Sequence, residues 1–161
     1  MTVVTGRWAA NIDALVTAAT AALPDTYVFD GPPRNQEGLS MPKRLFIGTQ
    51  SADPGVGGLS VDAPQIWMNS RGMTRDEATT VFCVAEGWSG DHVMKTARDL
   101  AVSIVAAVES LIRPSPSVSN ALGGSFMTEL TDLSVEQHQL EAGAFCRVLF
   151  SVVLTSYLSQ S

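Results

Sequence analysis

The stretch from Ala144 to Leu158 constrains the fold more than any other part of the chain. An antiparallel strand with one solvated face alternates apolar and polar residues. Here Ala144, Cys146, Val148, Phe150, Val152, Leu154 and Leu158 share one parity. The other parity carries Phe145, Leu149, Val153 and Tyr157, interrupted by Arg147, Ser151 and Thr155. Apolar residues on both faces need cover on both faces. Either helices of the same chain lie on each side, or one side meets another subunit.

Two helices are available for that task. Trp8, Ile12, Leu15, Val16, Ala19 and Leu23 recur with a helical period, and Pro24 ends the run. Val93, Ala97, Leu100, Ala101, Ile104, Val105, Val108, Leu111 and Ile112 form a second stripe, closed by Pro114, with Asp91 placed as its N-cap. Between them, strands are expected at Tyr27 to Asp30, Arg44 to Thr49, Gln65 to Asn69 and Ala78 to Trp88. Gly31-Pro32-Pro33 ends the first of these. After the second helix, Ser125 to Gln137 alternates, and Glu141-Ala142-Gly143 suits a hairpin leading into the closing strand. The order is helix, strands, helix, two strands, an α+β arrangement in a single domain spanning 1–161. The segment from Gln50 to Ala63 has no period and is rich in glycine, and it reads either as a flexible surface loop or as a loop that orders when a neighbour docks.

Composition excludes some partners. The chain carries a net charge of −6 with only 16% charged residues, and its Lys and Arg are scattered. Affinity for DNA rests on clustered cations, so specific nucleic-acid binding is not expected. The charged share lies below the roughly 25% usual for soluble domains, which leaves more neutral surface for subunit contacts. No signal peptide or membrane span is expected. Cys83 and Cys146 sit in apolar runs and read as small core residues.

No catalytic constellation emerges from the residues. His92 lies near a helix start and His138 near a strand end, neither close to a Gly-x-Ser-x-Gly elbow, which the chain lacks. No metal-ligand spacing occurs, and Gly55-Val56-Gly57-Gly58 lacks the following helix that a phosphate cradle needs. Asp76-Glu77 and Glu136 with Glu141 read as solvated carboxylates at strand ends. The chain is therefore expected to be an assembly block without a cofactor, not an enzyme. A small α+β hydrolase or ligand-binding domain is the alternative from another class.

Several features in order resemble the tail terminator proteins of long-tailed double-stranded DNA phages, especially those infecting actinobacteria. They are the first helix leading into Tyr27-Val28-Phe29-Asp30-Gly31-Pro32-Pro33, then Arg44-Leu45-Phe46-Ile47-Gly48, and Arg75-Asp76-Glu77 entering a strand. Val84-Ala85-Glu86-Gly87-Trp88-Ser89-Gly90-Asp91 then enters the second helix, and Gln137 onward through Phe150 forms the closing hairpin. The resemblance implies an antiparallel sheet with two helices packed on it. It also implies a homohexameric ring at the head-proximal end of the tail, which forms in the host cytoplasm. Such a ring ends polymerisation of the major tail tube protein and offers a surface to a head-completion protein. DNA passes through its lumen unbound, and an acidic lumen is expected. Another neck or head–tail connector protein, or a tail tube component, is the nearest alternative. Subunit or tail contacts are assigned to Asp53, Pro54, Gly55, Gly57 and Gly58 in the loop, and to Trp67, Phe145, Arg147, Leu149 and Tyr157.

Overall fold

The computed structural model describes residues 6–33, 41–53, 58–67, 74–113 and 127–159. Helix α1 spans Trp8–Ala22, followed by strands β1 (Tyr27–Asp30), β2 (Lys43–Ile47), β3 (Val61–Asp62), β4 (Gln65–Trp67) and β5 (Thr74–Ser89). Helix α2 (Met94–Ile112) then leads to β6 (Met127–Leu140) and β7 (Gly143–Ser159). The architecture is α+β, as the residue pattern predicts. All pairings are antiparallel except β1 with β2, which run parallel, so the sheet is mixed.

The sheet has seven strands in the order β1-β2-β5-β7-β6, with β3 and β4 also bonded to β5. Strand β5 is its spine. One edge pairs along its length with β7, from Thr74↔Ser159 to Ser89↔Ala144. The other edge is shared end to end by β4 at Arg75 to Glu77, β3 at Thr80 and Val81, and β2 at Cys83 to Gly87. Because β7 is antiparallel to both β5 and β6, those two run parallel with β7 between them. Helix α2 is thus the crossover of a split β-α-β unit.

Both helices pack on the same side of this sheet. Leu15, Ala19 and Leu23 of α1 and Ala97, Ala101, Ile104, Val105, Val108 and Ile112 of α2 share one core with Leu45, Ile47, Val81, Cys83 and Ala85. The even-numbered run of β7 from Ala144 to Leu154 completes that core. Of the two explanations for the apolar closing strand, helices on both sides is therefore excluded among the described residues. Gly87 sets the helix-to-sheet distance. A Cβ there would lie 2.2 Å from the Ala97 carbonyl oxygen and 2.8 Å from the Ala101 nitrogen. Only glycine lets the α2 backbone come so close.

Boundaries differ from expectation in instructive ways. Helix α2 begins one residue later than its apolar stripe, and its N-cap is Val93, not Asp91. Asp91 still serves the helix entrance: its Oδ1 accepts the Val93 N–H at 2.8 Å and its Oδ2 faces the Thr96 hydroxyl at 3.3 Å. These donors hold its carboxyl below the ordinary range, the Ser89 hydroxyl contributing most. Strand β5 starts four residues earlier than predicted, at Thr74, so Glu77 lies inside a strand and is wholly buried. Within the segment read as a loop from Gln50 to Ala63, Val61 and Asp62 form β3 and Ala52 is buried. The hairpin between β6 and β7 turns at Glu141 and Ala142, with Gly143 at φ 149.

Candidate assembly face

The side of the sheet away from the helices carries the odd-numbered residues of β7 and the even-numbered residues of β5. Strand register aligns them in rows that cross five strands. One row runs Tyr27↔Arg44↔Glu86↔Arg147↔Glu136, from β1 through β2, β5 and β7 to β6. From Arg44 onward its charges alternate in sign. The next row, Phe29↔Phe46↔Val84↔Leu149↔Ser134, is apolar up to its last member. On the other side lies Trp88↔Phe145↔His138. A charged row is thus held between two rows that are apolar up to their β6 members, Ser134 and His138.

The charged row is a connected network. Glu86 Oε2 pairs with Arg44 at 2.5 Å, and Glu86 Oε1 accepts from Arg147 Nε at 3.0 Å and Nη2 at 2.9 Å. Arg147 also reaches Asp53 at 3.6 Å and Glu136 at 3.7 Å. The Glu86 side chain is only 3% exposed although no described helix covers it. Its cover comes from its neighbours' stems and rings. Arg44 lies against Phe46 and Arg147 against Phe145, with 6.0 and 5.3 Å to the ring centroids. Long cationic side chains often cover apolar surface in this way while the charged head makes the ion pair.

Burial acts on both ends of the Arg44–Glu86 pair. It pushes the Glu86 carboxyl above its ordinary value, and the two guanidiniums only partly pull it back. It also pushes the Arg44 guanidinium below its ordinary value, opposed by Glu86 and reinforced by Arg147. Such a network adds little net stability over an apolar equivalent, because desolvating charges offsets their attraction. What it provides is direction. The row sets charges of opposite sign on neighbouring strands and leaves a polar seam along this face.

Beside the charged row, Phe29 stacks on Phe46 at a 4.5 Å centroid separation and Tyr27 tilts against Phe29 at the same distance. With Val84 and Ala52 these rings form a small second core, against which Tyr27 and Leu149 pack. Ala52 brings the start of the loop onto this face, where the Thr49 hydroxyl donates to the Ser51 carbonyl at 2.8 Å and Asp53 meets Arg147. No family model matches the chain, and no curated protein matches it.

The residues assigned to contacts from the sequence are placed as follows. Phe145, Arg147, Leu149 and Tyr157 all lie on this helix-free face, and Asp53 joins them through Arg147. The first three are half-buried, whereas Tyr157 is 60% exposed. Gly58 is exposed, and Trp67 pairs in register with Arg75 at the far end of β5. Pro54, Gly55 and Gly57 lie outside the described residues. Arg44, Glu86 and Glu136 belong to the same network but carried no sequence signal of it, since only strand register brings them together.

The Gln139 side chain, next to His138, donates to the His92 carbonyl at 2.8 Å, yet no cluster of His, Cys, Asp and Glu suited to a metal occurs among the described residues. His92 is exposed, in a left-handed backbone conformation at φ 62. His138 is 4.0 Å from Glu136 and 6.0 Å from the Phe145 ring centroid. A half-open cleft of about 320 Å³ beside the β6 bulge is lined by Gln50, Phe82, Asp132, Ser134, Leu149 and Ser151, among others, and by neither histidine. Cys83 and Cys146 are buried in the main core.

Proposed function

We propose that this chain is a structural subunit of a phage tail terminator ring, and that the helix-free sheet face is one of its two adhesive surfaces. The observation that carries the reading is the placement of both helices on one side. It leaves Phe145, Leu149, Val153 and Tyr157 on the other, around a charge-alternating row. Half-buried apolar side chains with a polar seam match the anatomy of a protein–protein interface more closely than that of a solvated sheet.

A closed ring needs two different surfaces, because each subunit meets its neighbours head to tail. The second is a patch on the helix side of the β6 edge, where Val102 and Ala106 of α2 and Leu133 and Val135 of β6 line one cleft. Val102, Leu133 and Val135 are each more than half exposed. In this reading the helix-free face of one subunit seats against the α2–β6 patch of the next. The partners are then further copies of the chain, the major tail tube protein below and a head-completion protein above. No cofactor enters the proposal.

Two experiments test it. Native mass spectrometry of the purified chain, with and without tail tubes, should detect a six-fold assembly that Leu149→Arg prevents. Tails assembled without the protein should be overlong in negative stain. Tails of normal length would sink the terminator reading, and a Leu149→Arg chain that still assembles would sink the assignment of the face.

A further inference from the structure

We infer that a buried water-binding site joins helix α1 to the far end of the sheet, held by Asn11 and Ser156 beside Glu77. The inference is independent of the assembly reading. Glu77, Thr79, Asn11 and Ser156 are all 0% exposed. Glu77 and Ser156 are direct cross-strand partners on β5 and β7, and Thr79 lies two residues along on the same face. Directly opposed residues of an antiparallel pair hold their Cβ atoms about 4.5–5.5 Å apart.

A chain of hydrogen bonds links these groups. Asn11 Nδ2 donates to Thr79 Oγ1 at 3.2 Å, and that hydroxyl donates to Glu77 Oε1 at 3.2 Å. The same Oε1 accepts the Arg7 backbone N–H at 2.7 Å, at the entrance to α1. Oε2 accepts Gln65 Nε2 at 2.7 Å. The carboxylate is therefore well supplied with donors, and a carboxylate at a helix N-terminus is favoured by the helix dipole. Gly6 closes the cluster, since a Cβ there would lie 2.5 Å from Glu77 Oε2.

Among these four buried residues, Asn11 Oδ1 and Ser156 Oγ have no hydrogen-bond partner. Buried polar atoms are nearly always satisfied by protein or by ordered water. The Asn11 oxygen needs a donor. Reversing the amide does not remove the need, because the nitrogen would then be the orphan and Thr79 would lose its role as acceptor. The Ser156 hydroxyl can both donate and accept. Water is the ligand that meets both demands, giving a proton to Asn11 Oδ1 and sharing one with Ser156 Oγ. A cation fits less well, because both carboxylate oxygens already accept N–H or O–H donors.

A high-resolution crystal structure tests the site directly. The expected result is solvent density within hydrogen-bond distance of both Asn11 Oδ1 and Ser156 Oγ. A direct Asn11–Ser156 hydrogen bond, an empty site, or a peak at about 2.4 Å from several oxygens, as calcium would give, overturns it. The second test is a double-mutant cycle with Asn11→Ala and Ser156→Ala in urea unfolding. A shared water makes the single effects non-multiplicative, with a coupling of about threefold or more in the unfolding constant. Independent effects overturn the proposal even where density is ambiguous.

Discussion

Arg147 on β7 and Glu86 on β5 stand directly opposite each other, joined through Nε and Nη2 at 3.0 and 2.9 Å. The same guanidinium reaches Asp53 of the loop and Glu136 of β6. One side chain therefore ties three parts of the helix-free face, and its removal is informative. Arg147→Met keeps most of the stem but loses the charged hydrogen bonds, and it is expected to cost about 1.5–3 kcal/mol. Arg147→Lys keeps the charge but not the planar fork, and should fall between the two. Urea unfolding supplies the stability, and hydrogen exchange at Asp53 should rise in Arg147→Met.

Glu86 makes a prediction whose sign is specific. Its carboxyl is raised above its ordinary value of 4.5, mainly by burial. A group raised on folding contributes stability that is full below its unfolded pKa and is lost as pH rises through the folded one. The stability of the wild type relative to Glu86→Gln should therefore fall as pH climbs from about 4. It should level off once the folded carboxyl has ionised. Paired urea titrations across the acidic to neutral range check this, and a difference that grows with pH would contradict it.

Gly87 should tolerate no side chain. The Ala97 carbonyl and the Ala101 nitrogen are both backbone atoms of α2, so a methyl group cannot be accommodated by rotamer changes. Gly87→Ala is expected to lift the helix and cost at least about 3 kcal/mol, the upper part of the range for overpacked cores. Thermal unfolding followed by circular dichroism reads this out. An exposed control such as Gly90→Ala, where nothing lies within 4 Å of the added Cβ, should be far milder.

The cysteines should be chemically silent in the folded chain. Burial pushes the Cys83 thiol up to about 12, and also raises Cys146. Thiolate is the reactive form, so neither residue should react with a thiol reagent at pH 8 on the timescale that labels the unfolded protein. Mass spectrometry before and after addition of denaturant counts the labelled sites. Rapid modification of Cys83 in the native state would show that its part of the core opens readily.

Much of the fold was legible because helical and strand periods are local signals. The stripe from Val93 to Ile112 gave α2 to within one residue, and the apolar run after Gly143 gave β7. Glu77 was not legible as a buried residue. A charged pair next to a threonine-rich run resembles a strand entrance, and the hydrogen bonds that satisfy it come from residues 70 and 12 positions away. Asn11 was missed for a related reason: it occupies a core position of α1 between apolar neighbours, and its partner Thr79 is on a distant strand. The charged row was beyond a sequence reading altogether. Tyr27, Arg44, Glu86, Arg147 and Glu136 have no shared spacing, and a slip of one residue in any pairing would turn some of them to the other face.

The position of β7 between β5 and β6 has a consequence for how the chain acquires its shape. Neither neighbour can bond to the other, so β6 stays apart from the other five strands of the sheet until the last described strand enters between them. Local helices can form early, but most of the sheet's long ladders wait for a segment far along the chain. Assembly of the fold is therefore a late closure, and truncations that enter β7 should leave β6 held only by its packing on α2, not a smaller version of the sheet.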